Sequence, residues 1–196
     1  MRVITLILAL FLSLSVSAEP LLIAAGAGYK KPLMEIYDAF GQSSGTKVEA
    51  IFGNMQQVLA QTRDSGRVDL VIGEQAFLAQ SGLFGREIAL GTGRLVLAYG
   101  ARRLGGYQAL TDPPVERIAL PDPKKAIYGQ AATQFLERSG LMPAVKVKLM
   151  TLATVPQVSA YLLAGTVDAG FINLTDALGL KDKLAGYDAI PVDLYV

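Results

Sequence analysis

The amino-acid sequence predicts an α/β protein of two lobes that face each other across a cleft. Short apolar runs alternate with segments whose apolar residues recur at helical spacing, a pattern typical of helices packed on mainly parallel sheets. A connector rich in glycine, arginine and proline, residues 100–116, divides this pattern into two parts. We therefore expect lobe I to comprise residues 19–98 plus 174–196, and lobe II to comprise residues 99–173.

The first eighteen residues have the layout of a secretory signal peptide. Arg2 precedes an apolar run, and the run ends in residues that permit cleavage after Ala18. The alternative is a membrane anchor, but a span needs about 20 apolar residues and this run is shorter. No cysteine follows the run, which excludes a lipid-anchored N-terminus. We expect a cleaved signal peptide at residues 1–18 and a periplasmic protein.

Seven apolar runs bounded by turn residues are predicted as strands. Most are continuously apolar, as expected when both faces of a sheet are covered. The predicted strands are residues 21–25, 47–52, 69–73, 94–100, 117–120, 147–152 and 168–173.

Four helices are predicted between these strands, at residues 32–40, 55–64, 126–138 and 156–164. Gly140 and Gly165 follow the last two of these helices and are good C-terminal stops. Residues 187–196 indicate a further strand at the end of the chain.

The composition excludes several classes of function. The chain has no histidine and no cysteine, so Ser-His-Asp or Cys-His catalysis and zinc or copper sites built on those side chains are impossible. Without Arg2 the chain carries equal numbers of basic and acidic residues, which gives no support for nucleic-acid binding.

The remaining enzyme chemistries have weak support. Asp112, Glu116 and Asp122 could form a carboxylate pair, but they lie in a turn-rich segment typical of solvated loop charges. Ser44 and Lys47 have the spacing of a Ser-Lys pair but lie in a predicted turn between a helix and a strand. We expect a binding protein rather than an enzyme.

Four helix starts follow strand ends, in residues 24–32, 52–61, 119–136 and 152–163. Helix starts leave backbone N–H groups unpaired and are natural anion sites. In the first, a dinucleotide fingerprint would need glycine where Lys31 stands, so a nucleotide site is disfavoured. Two such starts on each side of the connector predict an anion site between the lobes.

These segments together resemble the periplasmic molybdate-binding proteins of ABC transporters. The most specific motifs are Ala126-x-Tyr128-Gly129 and the run from Asp168 to Phe171. The resemblance implies a type II periplasmic binding fold, hinge closure on the ligand, a monomer, and a transporter permease as partner, with no cofactor and no metal. The family continues beyond residues 191–196 with a further strand and helix, so the sequence looks divergent and short at its C-terminus.

The resemblance also assigns ligand-binding positions. The family holds its oxyanion with hydroxyl and backbone N–H groups. Its first pocket serine falls on Gly28, its second at Asn54 or Met55, and its tyrosine on Asn173. All three side-chain donors are therefore changed, although Tyr29 could supply a replacement hydroxyl and the asparagines can donate through their amides.

The backbone donors of the family fall on Ala126 and Val155. Lys31 and Lys125 lie just before helices predicted to face the cleft, either as solvated lysines or as groups that steer a larger anion. Each lost hydrogen bond to a charged group is worth roughly 1.5–3 kcal/mol. Three functions therefore stay open: capture of a molybdate-like or tungstate-like oxyanion for an ABC transporter, binding of a larger carboxylate or phosphorylated anion as a transport or sensor component, and a degenerate remnant that binds nothing.

Overall fold

The computed structural model describes residues 19–196, so the predicted signal peptide lies outside the described residues. The described part of the chain contains eight strands, and the seven predicted strands each match one within about two residues. The strands are β1 (Leu21–Gly26), β2 (Val48–Gly53), β3 (Leu70–Ile72), β4 (Leu95–Tyr99), β5 (Ile118–Pro121), β6 (Leu149–Leu152), β7 (Ala169–Asn173) and β8 (Gly186–Ala189).

Seven α-helices accompany the strands within residues 19–196, and the four predicted ones are among them. The helices are α1 (Lys30–Ser44), α2 (Met55–Ser65), α3 (Gln75–Ser81), α4 (Ile127–Arg138), α5 (Met142–Val145), α6 (Val155–Leu163) and α7 (Leu174–Gly179). A 3-10 turn, Ala27–Tyr29, joins β1 to α1. α1 ends at Gly45, whose φ of 71° is the left-handed conformation that glycine adopts most easily.

The strands form two sheets, as the predicted α/β class requires. The first has the order β2-β1-β3 and is wholly parallel. The second has the order β6-β5-β7-β4-β8, in which β5 runs parallel to β6 and β7. β4 runs antiparallel to both β7 and β8. Within residues 19–196 the chain passes from the first sheet to the second once, through residues 83–94.

The strand pairing differs from the predicted grouping at two segments. Residues 95–98 and 174–196 are assigned to lobe I by the sequence, yet β4 and β8 pair within the second sheet. The residues of β4 are buried on both faces, and a buried apolar run does not by itself reveal its neighbours. The lobe boundaries stay a prediction.

The second sheet has the larger core. Its strands pack against α4 and α6, with the Phe135 and Phe171 rings 5.7 Å apart. The first sheet has a small cluster on each face, one around Leu33 and Tyr37 and the other around Met55 and Val58. No helix among residues 19–196 is long and apolar enough to cross a membrane.

Candidate functional site

A small cavity of about 30 Å³ lies between the two sheets. On the first side it is lined by residues that follow the carboxyl ends of β1, β2 and β3. On the second side it is lined by the starts of α4 and α6, which follow β5 and β6. Carboxyl ends of parallel strands are where α/β sheets bind ligands, so the cavity has the position that the sequence predicts.

The turn after β1 brings backbone and a tyrosine to the cavity. Gly28 lies where a Cβ atom would approach the Asn173 Nδ2 atom at 3.4 Å and the Val155 Cβ atom at 3.5 Å, so the turn packs closely on the second side. Asn173 Nδ2 donates a hydrogen bond to the Gly28 carbonyl at 3.0 Å. The Asn173 amide therefore ties the two sides together, and its Oδ1 atom is buried without a partner among the described residues.

The start of α2 is a capping box. Asn54 Oδ1 accepts a hydrogen bond from the Gln57 backbone N–H at 3.0 Å, and Gln57 Oε1 accepts from the Asn54 N–H at 3.1 Å. Asn54 is only 6% exposed and lines the cavity together with Met55. The Asn54 side chain thus serves the helix through its oxygen and keeps its NH₂ group for a further partner.

The start of α4 differs in one detail from the predicted donor. The Ala126 backbone N–H already donates to the Asp122 carbonyl at 2.9 Å. The next two residues, Ile127 and Tyr128, also line the cavity, and their N–H groups have no acceptor among the described residues. The backbone donors open to a ligand therefore lie one and two residues beyond Ala126.

The start of α6 repeats the arrangement. Thr154 Oγ1 accepts from the Gln157 N–H at 3.4 Å, and Pro156 has no N–H to satisfy. Val155 lines the cavity, and its N–H has no acceptor among residues 19–196. With Met55, Ile127 and Tyr128, it completes a set of four unpaired backbone donors from three helices around one cavity.

A buried carboxyl group lies among these donors. Glu74 follows β3 and lines the cavity, and its Oε1 atom accepts a hydrogen bond from the Tyr29 hydroxyl at 3.0 Å. Its Oε2 atom is buried and has no partner among the described residues. Tyr128, which is 7% exposed, is the third ionisable residue of the lining.

Burial perturbs all three groups. It raises the pKa of the Glu74 carboxyl, against the opposing hydrogen bonds from the Glu74 backbone and the Tyr29 hydroxyl. Burial, and next the charge of Glu74, raise the pKa of Tyr29 well above its ordinary value. Burial also raises the pKa of Tyr128 to about 12. Both tyrosines therefore keep their protons at neutral pH.

Sequence reasoning missed Glu74 and Tyr128 as lining residues. Tyr128 belongs to one of the two most specific motifs, and Glu74 follows a predicted parallel strand, so its place at the carboxyl end of β3 was the signal. The charge of Glu74 favoured a different interpretation, because a carboxylate in a loop is usually exposed to solvent.

The two predicted lysines do not line the cavity. The Lys31 ammonium group lies 4.0 Å from the Asp176 carboxylate, and the Lys125 ammonium group lies 3.4 Å from the Asp122 carboxylate. Both lysine side chains are about half exposed. An anion held at the cavity would therefore meet backbone donors first.

The structure brings most of the predicted positions together. Asn173 does not line the cavity, but its side chain donates a hydrogen bond to Gly28, which does. The six that line the cavity are Gly28, Tyr29, Asn54, Met55, Ala126 and Val155.

Comparison with known proteins agrees with this geometry. Residues 21–196 match the family described as bacterial extracellular solute-binding protein. A Haemophilus influenzae protein named only as a binding protein is 30% identical over 87% of this chain and 72% of its own length. The molybdate-binding protein ModA of Azotobacter vinelandii is 27% identical over 94% of this chain and 77% of its own length.

Solved structures show the same fold. A periplasmic molybdate-binding protein of A. vinelandii superposes with a TM-score of 0.81 at 22% identity, covering 89% of this chain and 80% of that one. PEB3 with L-phospholactate bound superposes with a TM-score of 0.66 at 15% identity, covering 90% and 82%.

The family match covers nearly all of the described residues, and the first of these structures has the type II binding fold that the resemblance implies. Proteins of this kind bind solutes rather than transform them, so the prediction of a binding protein rather than an enzyme is confirmed. The chain belongs to the bacterial extracellular solute-binding proteins.

Proposed function

We propose that this protein captures a small oxyanion in the cavity between its two sheets and delivers it to an ABC transporter in the periplasm. One observation carries the proposal: Met55, Ile127, Tyr128 and Val155 line one cavity, and their N–H groups have no acceptor among the described residues. Helix N-termini attract anions through these N–H groups and through the helix dipole. The oxygen atoms of a bound anion would supply the acceptors that these four N–H groups lack.

Molybdate or tungstate is the ligand class that the similarity to ModA favours. Such an anion would be held without a lysine or arginine, since none lines the cavity. Delivery to a transporter, a monomeric state and periplasmic location are proposed from the family membership.

Ligand entry requires movement. The cavity is small, with a volume of about 30 Å³. An anion with four oxygen atoms enters only if the two sides move apart and then close around it. Hinge closure of this kind is a common response of two-lobed binding proteins.

A larger carboxylate or phosphorylated anion is the second candidate, because PEB3, which shares the fold, has L-phospholactate bound. Such a ligand would have to extend beyond the cavity before it could meet Lys31 or Lys125.

Thermal unfolding with a panel of anions tests the proposal. The panel is molybdate, tungstate, sulfate, phosphate, citrate and phospholactate, with chloride at matched ionic strength as the control. A ligand at a hundred times its dissociation constant stabilises the folded protein by about 2.7 kcal/mol, so its unfolding midpoint rises measurably.

A raised midpoint with molybdate and tungstate supports the first candidate, and one with the organic acids alone supports the second. A cooperatively folded protein whose midpoint no anion raises would contradict both and favour the remnant.

A further inference from the structure

Among the described residues that line the cavity, Glu74 is the only aspartate, glutamate, lysine or arginine. Its Oε1 atom is bonded to the Tyr29 hydroxyl, whereas its Oε2 atom is buried and lacks a partner among residues 19–196. A buried carboxylate oxygen without a donor is unfavourable, and the same oxygen beside a bound anion would add repulsion between like charges. The four backbone N–H groups lack an acceptor among the described residues, which favours an anion in the cavity. Glu74 Oε2, in contrast, lacks a hydrogen-bond donor there.

One proton satisfies both requirements. If the carboxyl is protonated at Oε2, it donates to a ligand oxygen and carries no charge. If the ligand brings the proton, the ligand donates to Oε2. In either case two acidic groups share one proton, as closely spaced carboxyl pairs do in proteins.

We propose that the cavity binds an oxyanion together with one proton, held between Glu74 Oε2 and the ligand. The inference rests on the proposed function, and it adds a rule of selection to it. Orthophosphate and arsenate still hold a proton at neutral pH and bring it with them. Molybdate and sulfate hold none, so their binding must take a proton from solvent.

The surroundings of Glu74 leave it as the group that titrates. Tyr29, from the turn before α1, and Tyr128, from α4, are the other ionisable groups of the lining, and both keep their protons. α2 presents the uncharged Asn54 and Met55. Burial holds the pKa of Glu74 above its ordinary value, which places its proton loss nearer to neutral pH.

Isothermal titration calorimetry tests the proposal with molybdate and orthophosphate as probes. Each is titrated from about pH 6 to about pH 9, in buffer pairs of different ionisation enthalpy, so that the protons taken up are counted. The proteins are the wild type, Glu74→Gln and Glu35→Gln. Glu35 lies exposed on α1 and makes no side-chain hydrogen bond within residues 19–196, so its variant matches the charge change outside the cavity.

For wild type and Glu35→Gln, we expect molybdate affinity to fall about tenfold for each pH unit above the Glu74 pKa, with about one proton taken up. Glu74→Gln keeps an oxygen for Tyr29 and offers an NH₂ group to the ligand. It should therefore bind molybdate without proton uptake and with a flat pH profile. Orthophosphate binding to wild type should take up almost no proton at the alkaline end, where its doubly charged form still carries one.

Molybdate binding to wild type that takes up no proton and does not vary with pH would overturn the inference and leave the proposed function intact. That readout does not depend on how well Glu74→Gln folds. Failure of all three proteins to bind either probe would overturn the proposed function, and the inference with it.

Discussion

Glu74 places a carboxyl group in a site whose other polar groups are mostly hydrogen-bond donors. Its environment matters even without a ligand, because the folded and unfolded chains hold its proton with different strength. The pKa of Glu74 is raised by burial in the folded protein. Between the unfolded and folded pKa values, the folded state therefore binds more protons, and the free energy of unfolding falls as pH rises through that window.

Glu74→Gln removes this loss of stability. We expect the variant and the wild type to unfold at similar temperatures near pH 4. As the pH rises from about 4 to about 8, the wild type should lose stability relative to the variant. Thermal melts followed by circular dichroism, in buffers without multivalent anions, measure the difference.

Glu35→Gln is the control for the loss of one carboxylate outside the cavity. A wild type that gains stability over Glu74→Gln between pH 4 and 8 would show that Glu74 is better satisfied as a carboxylate than its surroundings indicate.

The same residue marks a limit of sequence reasoning. Gly28 and Tyr29 could be placed near the site because a glycine-bearing turn between a strand and a helix is a local pattern. Glu74 could not, because a charged residue at a helix start is usually solvated. Its burial depends on Tyr29 and Tyr128, which are distant from it in the chain.

At the scale of single elements, helix α4 shows how a motif locates a site without fixing the donating atom. The sequence placed the donor at Ala126, and the structure pairs that N–H with Asp122. Asp122 and Pro123 are typical turn residues, and Asp122 Oδ1 accepts a hydrogen bond from the Lys124 N–H at 2.8 Å. These residue types indicate a turn at residues 122–126, but they do not show which N–H of the following residues stays open. The structure explains the glycine at position 129 directly. A side chain there would collide with the Pro121 carbonyl and push α4 away from β5.

Ile127→Pro tests the α4 donors. Ile127 is the first residue of the helix, where proline's fixed φ fits and only an unpaired N–H is lost. The preceding Ala126 is extended, which proline also allows. We expect a folded protein whose affinity for its anion is lower by about 1.5–3 kcal/mol, roughly ten- to a hundredfold, because one hydrogen bond to a charged group is lost.

Ile127→Val keeps the N–H and trims only the side chain, so its affinity should stay near that of wild type. Calorimetric titration with the anion identified by the melting panel measures both variants. Equal affinity of Ile127→Pro and Ile127→Val would exclude this N–H as a ligand donor.

The positions of the strands in the sequence were predicted more reliably than the pairing of strands within the sheets. All seven predicted runs are strands because continuous apolar sequence bounded by turn residues is a local signal. The pairing of β4 with β7 and β8 is not local, since it joins residues far apart in the sequence. The predicted division into lobes depends on this pairing, whereas the α/β class follows from the strands and helices alone.

At the scale of the whole molecule, the two sheets have unequal cores. The second sheet has one large apolar cluster, and the first has two small ones. Tyr29 packs against the larger cluster as well as one of the smaller ones. Two hydrogen bonds also cross between the sides: Asn173 to Gly28, and Gln56 to the Lys124 carbonyl at 3.0 Å. Local stability follows buried apolar contact, so the first sheet should open before the second.

Residues 83–94, the one passage between the sheets within the described chain, have a consequence for protease sensitivity. The passage contains no helix or strand and includes the exposed Arg86 and Arg94, which are both sites for trypsin. A cut there would turn the closing of one molecule into the association of two fragments, and the tether that keeps their effective concentration high would be lost. The bound anion would then contact both fragments and hold them together.

We expect brief trypsin treatment to cut the wild type within residues 83–94, and the double variant Arg86→Gln, Arg94→Gln to resist cutting there. On a sizing column, the cut fragments should stay together in the presence of the anion at concentrations where they separate without it. Fragments that separate equally with and without the anion would mean that the ligand does not bridge the two sheets.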